Sequence, residues 1–138
     1  MKTNSKIFAT ILMITLMAMG YPQELRKMNY RAYLETNKEQ WKQNVAMAML
    51  EAQKNPSPEA EWQLALTEYG LLNASMADED EDLFDAYSES LEERLDELKK
   101  SGPHQAEAKA LLSGLYGFQI AFSHFKGMTL GGKRSKLL

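Results

Sequence analysis

Cysteine is absent from this chain of 138 residues, and several other residue types are scarce. Without cysteine there is no disulfide framework, no thiolate metal site and no lipid-modified amino-terminal cysteine. Valine occurs once, at Val45, and no alternating run of β-branched residues predicts a strand. Histidine occurs only at His104 and His124, and two isolated imidazoles do not make a zinc site. The sequence therefore predicts an all-α domain held together by apolar burial alone.

The first twenty residues differ in character from the rest of the chain. Two lysines lie in a polar start, mostly apolar residues run from Ile7 to Met19, and Gly20 ends the run. This pattern predicts a secretory signal peptide at residues 1–20 and a mature domain at residues 21–138. The apolar run is shorter than the roughly 20 residues that cross a bilayer, so a cleaved leader is favoured over an uncleaved membrane tether. Export without disulfides suits a bacterial envelope, and the predicted location is the periplasm.

Capping signals divide the predicted mature domain into helices. Asn37 and Ser57 have the side chains that cap helix amino termini, and Pro58 suits a first helical turn. The acidic run ADEDED favours another helix start, and Gly102 is a left-handed stop. The segment GMTLGGKRS is predicted to be a turn before a last helical turn, KLL. The predicted helices cover about residues 23–35, 37–54, 57–76, 78–100 and 103–122.

Residues at helical spacing predict which faces pack together. On the third helix the predicted packing stripe is Trp62, Leu66, Tyr69, Asn73 and Met76. On the fourth helix it is Phe84, Tyr87, Leu91, Leu95 and Leu98. On the fifth helix a stripe of small residues would let a neighbouring backbone approach closely, and it consists of Ala106, Ala110, Gly114, Gly117 and Ala121.

Charge is distributed unevenly along the chain. Eleven acids and one base lie between Asp78 and Glu97, whereas seven bases and one acid lie from Lys99 to the end. Such polarity can steer a partner or help neighbouring helices dock, although solvated helix faces give the same pattern. A basic end this short is weak evidence for nucleic acid, and no nucleic-acid partner is predicted.

An internal repeat pairs residues 61–75 with residues 108–122 at an offset of 47 residues. In both copies the sequence resembles tetratricopeptide-repeat proteins, whose first helix carries the pattern W-x2-L-G-x2-Y. The four pattern positions are held by Trp62, Ala65, Leu66 and Tyr69 in one copy, and by Lys109, Leu112, Ser113 and Tyr116 in the other. Departures at several of these positions make the match a loose one.

The chain from about residue 30 to 138 is also similar to a group of exported bacterial helical-repeat proteins, through the segments YRAYL and ALLSGLYGF. This resemblance implies antiparallel helix pairs stacked as a right-handed superhelix, with a concave surface for a protein or peptide partner. Repeat stacks need a polar capping helix, and the end at SKLL predicts an incomplete last helix and a truncated reading frame.

Two segments resemble ligand-binding motifs without meeting their requirements. GMTLGGKRS approaches a phosphate loop, but Arg134 stands in place of the hydroxyl residue and a helix, not a strand, is predicted before it. The acidic run places carboxylates at calcium-loop positions, but Leu83 stands where that loop needs glycine. No residue set meets the requirements of a catalytic site, so no enzyme activity, cofactor or metal is predicted. Polar residues on the first helix of each pair are the predicted partner-binding positions: Gln63, Thr67, Asn73, Gln105 and Gln119.

Overall fold

A computed structural model describes residues 23–137 of the chain, with side chains up to residue 124. Consecutive helices pack against each other, which confirms the prediction of an all-α fold. The predicted signal peptide, residues 1–20, lies outside the described residues. The helices are α1 at residues 23–35, α2 at Lys38–Lys54, α3 at Pro58–Ala77, α4 at Glu81–Leu98 and α5 at Gln105–Leu137.

Side-chain caps define where the helices begin, and they confirm the predicted boundaries. Asn37 Oδ1 accepts a hydrogen bond from the backbone N–H of Gln40 at 3.1 Å, and Ser57 Oγ accepts one from Ala60 at 3.0 Å. Asp80 caps α4 by accepting from the N–H of Leu83. Each contact satisfies a backbone donor that has no partner within the helix. Gly102 has a φ of +93°, so the predicted left-handed turn between α4 and α5 is also confirmed.

The carboxyl-terminal part of α5 contradicts one prediction. Residues 127–135 continue α5 as helix, so the predicted turn and the separate last helix are wrong. The segment contains glycines but no proline, so every residue keeps the N–H that a helix needs. Glycine costs about 1 kcal/mol relative to alanine in a helix, which weakens the helix without ending it. The helical backbone is therefore neither the predicted turn nor a phosphate loop.

The core consists of two apolar clusters on opposite sides of α3. One joins α3 to α1 and α2, and the other joins α3 to α4 and α5. Because α3 packs on both sides, half of its residues are buried, and it forms the centre of the bundle. The first cluster contains Leu25, Ala32, Trp41, Val45, Ala48, Ala52, Leu64, Leu71 and Ala74. The second contains Trp62, Ala65, Leu72, Phe84, Leu91, Leu95, Ala108, Leu112, Leu115 and Phe122.

The predicted packing stripes have different outcomes on the three helices. On α4 the stripe is confirmed, because Phe84, Leu91 and Leu95 are buried in the second cluster and its two other members pack against it. On α3 the predicted stripe is incomplete, because that helix also buries the opposite side, with Leu64 and Leu71, and leaves Asn73 exposed. The periodicity of one apolar stripe describes a surface helix and does not identify a central one.

The small-residue stripe predicted on α5 is not the packing face of that helix. Ala106, Ala110 and Gly117 are exposed, and a Cβ added at Gly117 would have open space around it. Only Gly114 makes a close approach, where the Tyr69 side chain lies against its backbone. Large residues of α5 pack into the second cluster instead, because they bury more apolar area than alanine and glycine.

Candidate functional site

Gln63 and Thr67, two of the predicted partner-binding residues, are buried between helices. Thr67 Oγ1 donates to the carbonyl of Gln63 at 2.7 Å and accepts from Asn29 Nδ2 of α1 at 2.8 Å. The network continues to α2, where Asn44 donates to Asn29 and accepts from Gln40. These bonds satisfy polar groups that would be costly to bury alone. Neither Gln63 nor Thr67 is therefore at the surface.

The other three predicted residues lie at the surface but in separate places. Asn73 is exposed on α3, and Gln105 is exposed at the start of α5, where it donates to the carbonyl of Gly102. Gln119 is half-buried and donates to Glu92 of α4 at 2.9 Å. The five predicted residues therefore do not form one surface, and partner binding by them stays a prediction.

Asn73 does lie at the rim of a pocket of about 290 Å³ between α1, α2 and α3. Tyr33 of α1 forms one wall, Leu66 and Tyr69 of α3 form another, and Trp41 of α2 lies at the base. Most of this lining is apolar or aromatic, and Asn73 supplies an amide at the edge. We call this site the Tyr33 pocket.

Gly70 lets Trp41 pack directly against α3 in the lining of the Tyr33 pocket. A Cβ at this position would overlap the ring of Trp41, including Cζ2 at 2.8 Å. Only glycine lets the indole ring lie directly against the backbone of α3. Sequence reasoning missed Tyr33, Trp41 and Gly70 as site residues. A glycine in the middle of a helix was the one available signal, because it indicates close packing more often than flexibility.

Tyr69 connects the Tyr33 pocket to α5. Its ring stacks on Phe118 with 5.2 Å between centroids, and its hydroxyl lies against Gly114. Burial raises the pKa of Tyr69 above its usual 10, so the hydroxyl stays neutral at physiological pH. The residue therefore acts in this site as a neutral aromatic wall with a polar tip.

A buried ion pair joins α3 to α4 outside the Tyr33 pocket. Glu68 is 1% exposed, and Arg94 Nε donates to its Oε2 at 3.1 Å, while Arg94 Nη1 contacts Glu61. Burial is the largest influence on Glu68 and raises the pKa of its carboxyl, although Arg94 acts in the opposite direction. One guanidinium thus serves two carboxylates.

The acidic run before α4 is organised by a lysine from α2. Lys38 Nζ lies 2.8 Å from Asp80 Oδ2 and 3.3 Å from Asp78 Oδ2. The hydrogen bond from Lys38 is the largest cause that lowers the pKa of Asp80. These carboxylates have a structural role, because they begin a helix and link it to α2.

His104 attaches the start of α5 to α3. Its ring stacks on Trp62 with 4.8 Å between centroids, and its Nε2 lies 2.8 Å from Glu59 Oε2. Glu59 also accepts from Gln63 Nε2 at 2.8 Å, the bond that contributes most to lowering the pKa of Glu59. His104 Nδ1 is buried in this packing and has no hydrogen-bond partner among the described residues.

Across residues 23–137, no helix is long and apolar enough to span a membrane. In the same part of the chain, no three histidine, aspartate or glutamate side chains cluster as metal ligands would. Comparisons with protein families, curated proteins and solved structures found no match to this chain.

Proposed function

We propose that this protein is a non-enzymatic helical-repeat scaffold that binds a protein or peptide and is exported to the periplasm. Its helix pairs would stack like tetratricopeptide repeats, with α1, α3 and α5 as the first helices of successive pairs. In support, α3 contacts α5 directly, and Asn29 of α1 bonds to Thr67 of α3. By contrast, no Cα atom of α2 lies within 8 Å of a Cα atom of α4, and both helices lie wholly within the described residues. When the first helices of neighbouring pairs touch and the second helices lie apart, the stack is curved and has a concave face.

The Tyr33 pocket is the observation that carries the binding proposal. It lies between α1 and α3, where a concave face lined by first helices would be. At about 290 Å³ it is at the lower limit of small-molecule sites, and it suits one large side chain better than an organic cofactor. Pockets for single side chains give specificity in peptide recognition. Tyr33 is 64% exposed, so a partner can reach its ring.

Filling the pocket rim should weaken binding without affecting the fold. Peptides selected from a displayed random library on the wild-type protein should bind the Asn73→Arg variant at least about tenfold more weakly. Arginine at this position would place a long charged side chain across the pocket. Binding constants from fluorescence anisotropy would measure the loss.

The matched control is Gln43→Arg, which makes a similar change at an exposed position of α2 outside the pocket. It should leave both peptide affinity and melting temperature unchanged. If the selected peptides bound both variants as tightly as the wild type, the Tyr33 pocket would not be the binding site. If no library peptide bound saturably, the scaffold proposal itself would fail.

Export requires that the leader at residues 1–20 is removed. An uncleaved leader would instead make the chain a small membrane-tethered helical protein, which is the alternative proposal. We expect the product in the envelope fraction to run faster on a denaturing gel than the same product made with signal peptidase inhibited. Equal mobility of the two products would favour the tethered protein.

A further inference from the structure

We propose that a cleft between α3 and α4 is a second docking surface and takes a lysine- or arginine-rich segment of a partner protein. The cleft has a volume of about 590 Å³ and shares no residue with the Tyr33 pocket. Its acidic rim is formed by Glu61, Glu93 and Glu97, and we call it the acidic cleft. The proposal is therefore independent of peptide binding in the Tyr33 pocket.

The charge of the acidic cleft is negative. Arg94 is the one base in its lining, and its guanidinium is engaged by Glu61 and by the buried carboxylate of Glu68. The lining thus has three carboxylates and one guanidinium, and Lys100 pairs with Glu97 at the rim, so the net charge stays negative. A cationic side chain from a partner would complete the neutralisation, and complementary charge of this kind favours a specific partner and fast association.

Helix stability does not explain the acids of the rim. Glu97 lies in the last turn of α4, where the partial negative charge of the helix end disfavours a carboxylate. Its one ion pair is with Lys100 in an exposed i,i+3 contact, and such pairs are weak. Glu93 is exposed one turn earlier and has no ion-pair partner among the residues that the structure describes. Glu93 can thus meet an external cation directly, and the weak pair of Glu97 with Lys100 can be exchanged for one.

The shape of the acidic cleft also suits long cationic side chains. Pro58 and Leu98 give it an apolar wall beside the carboxylates. Lysine and arginine place an aliphatic stem on apolar surface and keep the charged group at a polar edge. A lone metal ion would use the carboxylates but not this wall. The combination therefore favours a basic peptide segment over a free cation.

The test uses a fluorescent peptide of alternating lysine and alanine, titrated against the full-length protein at about 50 mM and about 200 mM salt. We expect saturable binding that weakens at the higher salt. The variant Glu93→Lys/Glu97→Lys should bind the peptide at least about tenfold more weakly than the wild type. Glu93→Gln/Glu97→Gln should give a smaller loss in the same direction, and melting temperatures would verify that both variants fold.

The control Glu35→Lys/Glu107→Lys makes the same change in net charge at exposed acids of α1 and α5. It should retain wild-type affinity for the lysine peptide. Equal weakening by the control would mean that the peptide responds only to overall charge, and the proposal would be overturned. It would also be overturned if the wild type self-associated at low salt and Glu93→Lys/Glu97→Lys abolished this, because a second copy would then occupy the cleft.

Discussion

Replacing Arg94 with methionine is expected to lower the free energy of unfolding by about 3 kcal/mol at pH 8. The substitution keeps an unbranched stem of similar length but removes the cation that pairs with Glu68. That carboxylate is 1% exposed, so the variant leaves an almost fully buried charge without its partner. Urea denaturation followed by circular dichroism would measure the loss.

The loss should shrink as the pH falls. Burial raises the pKa of Glu68 above its ordinary value of 4.5, so the folded protein binds this proton more tightly than the unfolded chain does. Protonation of Glu68 therefore stabilises the folded protein fully below pH 4.5. This stabilisation is lost as the pH rises through the raised pKa of the folded state. As the pH falls through this raised pKa, the carboxyl group of the variant becomes neutral and no longer needs a cation.

The double variant Glu68→Leu/Arg94→Met separates charge from packing. Replacing a buried ion pair by apolar residues of similar size is often neutral, so the double variant should recover most of the stability at pH 8. If it were as unstable as Arg94→Met at every pH, the packing of the arginine stem would be the important contribution. The buried charge would then not explain the loss.

Alanine substitutions at Gly70 and Gly117 should change the free energy of unfolding in opposite directions. Gly70→Ala is expected to lower the free energy of unfolding by about 2 kcal/mol, because the new Cβ overlaps the Trp41 ring. That ring is buried in the first cluster and cannot move without disturbing its neighbours. Gly117→Ala should raise the free energy of unfolding by up to about 1 kcal/mol, because it improves helix propensity in open space. Thermal and urea denaturation of both variants would measure the difference.

Gly114→Ala provides an intermediate case in the same series. Its Cβ would meet the Tyr69 hydroxyl, which is the far end of a side chain that is only partly buried and can shift. We therefore expect a change in stability between those of the other two variants. If Gly70→Ala were as stable as Gly117→Ala, the close contact between Trp41 and α3 would be contradicted.

The fold could be predicted in part from the sequence, and the candidate site much less. Asn37, Ser57 and Gly102 identified helix boundaries correctly, because each acts on backbone groups within a few residues. The same reasoning failed at residues 127–135, where glycines are compatible with either a turn or a weak helix. Local preferences there are small, and they do not decide between the two.

Thr67 illustrates why surface residues were harder to identify. Its polar side chain suggested exposure, yet Asn29 and the backbone of α3 satisfy it inside the bundle. Those partners are distant in sequence or depend on how three helices pack. No pattern within α3 shows that α1 lies beside it, so burial of Thr67 and exposure of Asn73 could not be distinguished beforehand.

By itself the sequence determined that this chain is helical and where most helices begin, because caps and helical spacing act over a few residues. The tertiary structure alone decided that α3 is central, that Gly70 rather than Gly117 admits a neighbouring ring, and that a pocket opens beside Tyr33. The two glycines are equivalent in the internal repeat, and they differ only in what packs against them. Burial and close contact depend on neighbours from other helices, and those neighbours are established only when the whole bundle assembles.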